Sequence, residues 1–348
     1  MGPLSLAPGR HRAEPVERPS TEGRDPLFDN ARLVLIAMVV TAHVIRLNLY
    51  EVGWARALYA WLLVFMMPAF ALIAGHLSSA TMSVGRLKLL VRRLVVPYLV
   101  FELLYTAAHA VGGRSEGLVL DLLAPTWVLW FLVTLFWWRL TLPLLMKTGH
   151  PLLVVAAIGV AGGFLPGPVY ALALTRAMVL YPFFVLGHVV AVSDHVQRLR
   201  ARPLANVAVL AAVAVLAAAF LTGDGELWLH GTQPYANMGV PAAVGPLIRL
   251  AYYGAVALTV ASFLALVPSR QMRVTALGER TLYPYLLHGV VLLGLEPVPA
   301  PAPAARRRGA GTGRGSAPPG RSHASGARVR EPGSWRRSGR PPRSRPSG

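Results

Sequence analysis

The chain has 348 residues, 54% hydrophobic and only 14% charged, with a formal net charge of +19. Soluble domains carry roughly 25% charged residues, and a water-soluble core of this size cannot hide so many apolar side chains, so the composition excludes an ordinary globular enzyme and points to a bilayer. The absence of cysteine removes disulfides, thiolate metal sites and a cysteine-linked acyl intermediate.

Residues 1–25 are polar and rich in Pro, Arg and Glu, without the apolar core of a signal peptide. They are expected to form a disordered cytoplasmic leader. Apolar runs follow at about 33–50, 54–77, 87–111, 127–146, 151–166, 169–192, 204–222, 246–267 and 282–295. Each approaches the roughly 20 residues that cross hydrocarbon as a helix, the fifth and ninth being short. The expected fold is therefore an all-α polytopic membrane bundle of about nine transmembrane helices spanning residues 26–295.

Connecting segments alternate in charge. Arg86, Lys88, Arg92 and Arg93 follow the second run, Lys147 the fourth, Arg198, Arg200 and Arg202 the sixth, and Arg270, Arg273 and Arg280 the eighth. The intervening segments hold Glu116 and Asp121 beside Arg114, or Asp224 and Glu226. Positive-inside topology then places the N-terminus in the cytoplasm of the cell membrane. No nucleic-acid-binding motif interrupts the apolar runs, so the lipid bilayer and not nucleic acid is the expected partner of the basic charge. The Arg-rich, Lys-poor composition fits a GC-rich, bacterial coding sequence.

From Glu296 the chain turns Pro-, Arg-, Gly- and Ser-rich, with about a dozen arginines. Such a segment cannot bury enough apolar surface to fold. Nine spans also put it on the side where arginine is disfavoured. Two expectations stand: a lost final helix, as after a shifted reading frame, or a genuine basic tail over 296–348.

Chemistry concentrates in the first run. Asp29 and Asn30 are candidates to cap its helix. Arg32 and His43 are eleven positions apart, about 1100° at 100° per residue, so they share a face and lie roughly 16 Å apart along the axis. An imidazole within the membrane is costly unless it faces protein or water, which makes His43 a candidate site residue beside the alternative of a satisfied interhelical histidine. Glu102, a rare intramembrane carboxylate, is expected to pair with a histidine or arginine. Trp137-Trp138-Arg139 reads as an interfacial anchor. His109 and His195 read as interfacial.

Phe28-Asp29-Asn30-Ala31-Arg32-Leu33…Thr41-Ala42-His43 resembles the first-helix signature of the acyltransferase-3 family, an arginine followed by ten residues and a histidine. Met67-Pro68-Ala69-Phe70…Gly75-His76, Arg92-Arg93-Leu94-Val95-Val96-Pro97-Tyr98, Trp127…Trp130-Phe131-Leu132, Tyr181-Pro182-Phe183-Phe184…Gly187 and Leu277-Gly278…Tyr285-Leu286-Leu287-His288 are similar to further motifs of that family, in order. The nearest branch is the fucose 4-O-acetylase-like one. Three departures stand out: Leu90 occupies the arginine position three before Arg93, His76 and His188 replace tyrosines, and the tenth helix is missing.

The resemblance implies a membrane-bound O-acyltransferase. Arg32, Arg92 and Arg93 engage a cytoplasmic acyl-CoA, probed as acetyl-CoA, which is a co-substrate and not a bound cofactor. His43 acts as general base on an acceptor hydroxyl of a carbohydrate, glycolipid or natural product. Asp29, Asn30, Glu102, Trp130 and His288 are candidates to line the cavity, and no metal is expected. With no Gly-x-Ser-x-Gly elbow, direct transfer is simpler than an acyl-enzyme. The competing readings are a secondary transporter, though the two similar halves usual there are not seen, and an inactive truncated membrane protein.

Overall fold

The computed structural model describes residues 25–112, 120–165, 171–220 and 225–295, and every regular element among them is helical. The expected leader and tail lie outside the described residues, apart from Asp25. All nine apolar runs fall on helix. Six helices are long and apolar enough to cross a membrane unaided: Pro26–Leu49, Gly53–His76, Val84–Val111, Trp127–Leu145, Ala171–Val189 and Gly245–Leu266. The helices α8 (Val192–Arg200) and α9 (Pro203–Phe220) meet at a bend of 102°, the form of a broken span or a re-entrant loop. The fifth and ninth runs form the short helices α6 (Pro151–Ala161) and α13 (Leu282–Leu295). The chain is a multi-pass helical membrane protein.

Local chemistry sets the ends. Helix α1 (Pro26–Val44) begins at Asp25, whose carboxylate accepts the Leu27 N–H at 2.9 Å, with Pro26 in the first turn. The cap is thus Asp25, and the expectation of Asp29 or Asn30 is corrected. After α1 the chain continues as a π turn, Ile45–Leu49. A second π turn, Val91–Val95, joins α3 (Val84–Leu90) to α4 (Val96–Val111). Helix α6 gives way to a 3-10 turn at Gly162–Phe164, where a side chain on Gly163 would collide with the Tyr235 ring.

Helices α2 (Gly53–His76) and α7 (Leu174–Val189) form the tightest seam. A Cβ on Gly75 would lie 1.7 Å from the Phe184 carbonyl oxygen, and one on Gly187 would lie 1.9 Å from that of Leu72. The two backbones therefore touch, the close approach that small residues permit where no hydrophobic force separates helix from lipid. Trp138 of α5 (Trp130–Leu145) packs on the same seam, 1% exposed. Its indole N–H donates to the Ala177 carbonyl at 2.9 Å and its ring stacks on Tyr181 at 6.1 Å. Trp138 is thus a core residue and not an interfacial anchor. By contrast α9 buries little beyond Asn206 and Ala217, and Leu204 and Val215 stand exposed as a lipid-facing surface does.

The start of α1 is tied to α12 (Thr275–Glu279) and to the segment after α11 (Gly245–Leu266). The Asn30 amide donates to the Pro268 and Arg270 carbonyls at 2.8 and 3.0 Å and accepts from the Thr275 hydroxyl at 2.7 Å. Gly278 lies against the Asp29 backbone, leaving no room for a Cβ. These ties hold α13 beside α1.

Candidate active site

His43 ends α1 and meets His288 of α13. The His43 Nδ1 lies 2.9 Å from the Val39 carbonyl oxygen and 3.4 Å from His288 Nε2. His288 Nδ1 lies 3.1 Å from the Pro284 carbonyl. A carbonyl only accepts, so both Nδ1 atoms carry hydrogen. His288 Nε2 is then an acceptor facing His43, and His43 Nε2 keeps its lone pair. This is the arrangement a general base needs: one nitrogen held by an orienting partner and the other open to take a proton. His43 is only partly buried. The π turn begins two residues beyond it, a distortion that recurs at functional sites.

Above the pair lies Trp127, whose ring meets His43 edge-on at 5.1 Å and His288 at 6.4 Å. Its backbone has φ 45°, a left-handed conformation rare for a bulky residue. The preceding residue is held in place by Glu102, 1% exposed, which accepts the Thr126 N–H at 3.0 Å and the Thr126 hydroxyl. Glu102 therefore has neither the histidine nor the arginine partner expected of it; it fixes the turn that presents Trp127. Tyr105 closes the back, its ring 6.3 Å from Trp127 and its hydroxyl donating to the Leu286 carbonyl at 3.1 Å. Tyr105 fits only because position 289 is glycine.

Trp130 does not touch the histidines but stands under Arg176, with the guanidinium carbon 4.9 Å from its ring centroid. Arg176 follows a second strained turn, in which Leu172 and Ala173 both have φ 53°. The Leu172 N–H donates to the Leu123 carbonyl at 2.5 Å, joining this turn to the segment that leads into Trp127. The charge of Arg176 acts on His43, Tyr59, Tyr285 and His230. Sequence reasoning missed this residue. The signal was present: Arg176 is the one charge in the apolar run 169–192, and an intramembrane cation is a functional candidate by the rule already applied to His43.

At the basic end of the bundle a cavity of about 150 Å³ opens between α1, α2, α5 and α13. Arg32, Arg139 and Thr281 supply its polar lining, Phe70 and Phe131 its apolar wall, and Tyr285 its border toward the histidines. The Tyr285 ring is 5.9 Å from that of His288, and its hydroxyl donates to the Val128 carbonyl. Arg32 is paired with Asp29, while its Nε is buried without a partner. Arg139, read from sequence as part of an anchor, shares this cavity and donates to Ser78 at 3.2 Å. Arg92 and Arg93 sit exposed on the second π turn and do not line it. Asn30, 1% exposed, spends its amide on the structural ties described above.

On the far side of His43 the segment after α9 folds back as α10 (Glu226–His230) and a 3-10 turn, Tyr235–Met238. Glu226 accepts from the Tyr50 hydroxyl, and His230 Nε2 lies 3.4 Å from the Tyr59 hydroxyl. Burial pushes the His230 imidazole down to about 4, so it is neutral near pH 7.

Comparison with known proteins bears directly on this geometry. Residues 26–302 match a family described as an acyltransferase domain, acyltransferase-3. The nodulation protein NolL of Sinorhizobium fredii (strain NBRC 101917 / NGR234) is 27% identical over 310 residues, 80% of this chain and 81% of that protein. No solved structure matches.

Proposed function

The chain belongs to the acyltransferase-3 family, and we propose that it moves an acyl group, with acetyl as the first to test, from a cytoplasmic acyl-CoA to a hydroxyl on a carbohydrate, glycolipid or natural product. The observation that carries this reading is the pair of tautomers set by Val39 and Pro284, which leaves His43 Nε2 as the open base. The acceptor hydroxyl gives its proton to that nitrogen while its oxygen attacks the thioester carbonyl. The C–S bond then breaks, and the proton passes to the leaving thiolate. Such a base contributes typically about 10²–10⁴-fold to rate.

The Arg32–Arg139 cavity suits the donor's phosphates and carbonyls, since guanidinium groups bind such oxygens through forked hydrogen bonds. A thioester arm running from there passes Tyr285 to reach the histidines. The N-terminus and this cavity are assigned to the cytoplasmic side by the charge alternation of the connecting segments.

Transfer of label from acetyl-CoA in membranes bearing the full chain tests the reading. His43→Ala is expected to abolish transfer at normal expression; retention of more than about a tenth of wild-type activity removes His43 from the mechanism. Arg32→Ala and Arg139→Ala are each expected to raise the donor KM several-fold, with Arg32→Lys recovering part. An unchanged donor KM in both takes the cavity out of donor binding.

A further inference from the structure

Arg176 is held over Trp130, three residues after the Trp127 that meets His43, against several costs at once. It is half-buried inside a membrane-spanning helix, where an unpaired cation is expensive. It occupies the first turn of α7, the helix end at which the macrodipole disfavours positive charge. It follows two left-handed non-glycine residues, a strained backbone that persists only where its surroundings hold it. No carboxylate among the described residues pairs with it: Arg32–Asp29 is the ion pair they contain, and the groups acting on Arg176 itself are Tyr285 and Tyr59. Its flat face is supported by Trp130, which orients the guanidinium without neutralising it.

An intramembrane cation with no carboxylate partner is a candidate to hold the anion of a ligand. We propose that Arg176 finds it in the substrate and binds a negatively charged oxygen beside His43. This inference rests on the acyl-transfer reading. The oxygen has two possible sources, the acyl carbonyl or an anionic group on the acceptor. In the first case the acceptor oxygen adds to the thioester carbon, the C=O π pair moves onto oxygen, and an Arg176 N–H donates to that oxyanion. The C=O then re-forms, the thiolate leaves, and it takes the proton held by His43. A preorganised donor of this kind in a water-poor site is among the strongest single contributions to catalysis.

The test uses the full chain in nanodiscs, with Arg176→Met and Arg176→Lys compared with wild type. Two rates with labelled acetyl-CoA are measured: transfer to acceptor-bearing native membranes and acceptor-free hydrolysis. Arg176→Met is expected to melt at or above the wild-type temperature, since an unpaired intramembrane cation is removed, and to lose about 10²–10³-fold in rate. Arg176→Lys should restore part. Loss of both rates assigns the oxygen to the acyl carbonyl; loss of transfer alone assigns it to the acceptor. Either result supports the proposal. Rates of the Met variant within threefold of wild type overturn it, as does a melting drop of more than about 5 °C alongside the lost activity, which marks a structural role.

Acetate, an anion of the acyl group's size, separates this idea from the reading it rests on. It should raise the melting temperature of wild type and of His43→Ala but not of Arg176→Met. If wild type transfers nothing yet acetate stabilises it through Arg176, the acyl-transfer reading fails and the anion site stands. Absence of that acetate effect in active wild type counts against the site alone.

Discussion

The two ends of α7 are built on opposite terms. Toward its C-terminus, Gly187 and Phe184 meet Leu72 and Gly75 of α2 with backbone against backbone, and the chain needs no polar group to hold the contact. Toward its N-terminus, the helix starts from two residues with φ 53°, carries an unpaired cation and leans on a neighbouring turn that is itself left-handed at Trp127. One end stores packing energy; the other spends it on geometry. A strained corner persists only when its surroundings over-determine it, and the seam supplies that constraint along the same helix.

Breaking the seam should have the largest effect. Gly187→Leu places a side chain into the Leu72 carbonyl, and because backbone rather than a flexible side chain must yield, the cost should meet or exceed the roughly 1–3 kcal/mol typical of overpacking. Folded yield after detergent extraction and melting temperature should both fall. A variant with wild-type melting shows that the corner is held by something else.

Disturbing the other end should change rate and spare stability. His288→Phe removes the acceptor that faces His43 Nδ1 while keeping an aromatic ring there. Turnover is expected to drop about tenfold, a part of what a general base supplies, with donor KM unchanged and His288→Gln in between. A drop in melting temperature without a change in turnover makes His288 a packing residue.

The smallest effect sharpens the boundary between the two regions. His230 is held near 4 when folded against 6.5 as its ordinary value, so the unfolded chain binds a proton first. Stability is therefore unaffected above about pH 6.5 and declines as pH falls toward 4. His230→Gln should flatten melting temperature between pH 7.5 and 5; an unchanged slope places the titration elsewhere.

How far the sequence reached follows the same division. The regular part was legible because hydropathy and helix length report it directly: each of the nine apolar runs became helix. His43 and His288 were visible as polar groups within apolar runs. What was not visible depended on contacts between distant segments. Arg139 follows two tryptophans, the pattern of an interfacial anchor, and only the folded chain shows that Arg32 and Thr281 share its cavity. Asn30 resembles a site residue until Pro268, Arg270 and Thr275 claim its amide. The cap was misassigned although Pro26, a first-turn proline, pointed to the residue before it. The left-handed turns at Trp127 and Leu172 had no glycine to announce them.

The π turn at Ile45–Leu49 has a consequence for how this helix can change over generations. A π turn holds one residue more than the α-helix it interrupts. Deleting one residue there would restore a regular helix, and because the bulge had absorbed that residue locally, the change falls on the contacts of the turn itself. Arg32 and His43 precede the turn and keep their register under such a deletion; Arg46 and Tyr50, which meet each other at 4.2 Å, lie within or beyond it. Length variation at this one place can thus alter how Arg46 and Tyr50 meet, and with them the Glu226 partner of Tyr50, while Arg32 and His43 keep their places on the preceding helix.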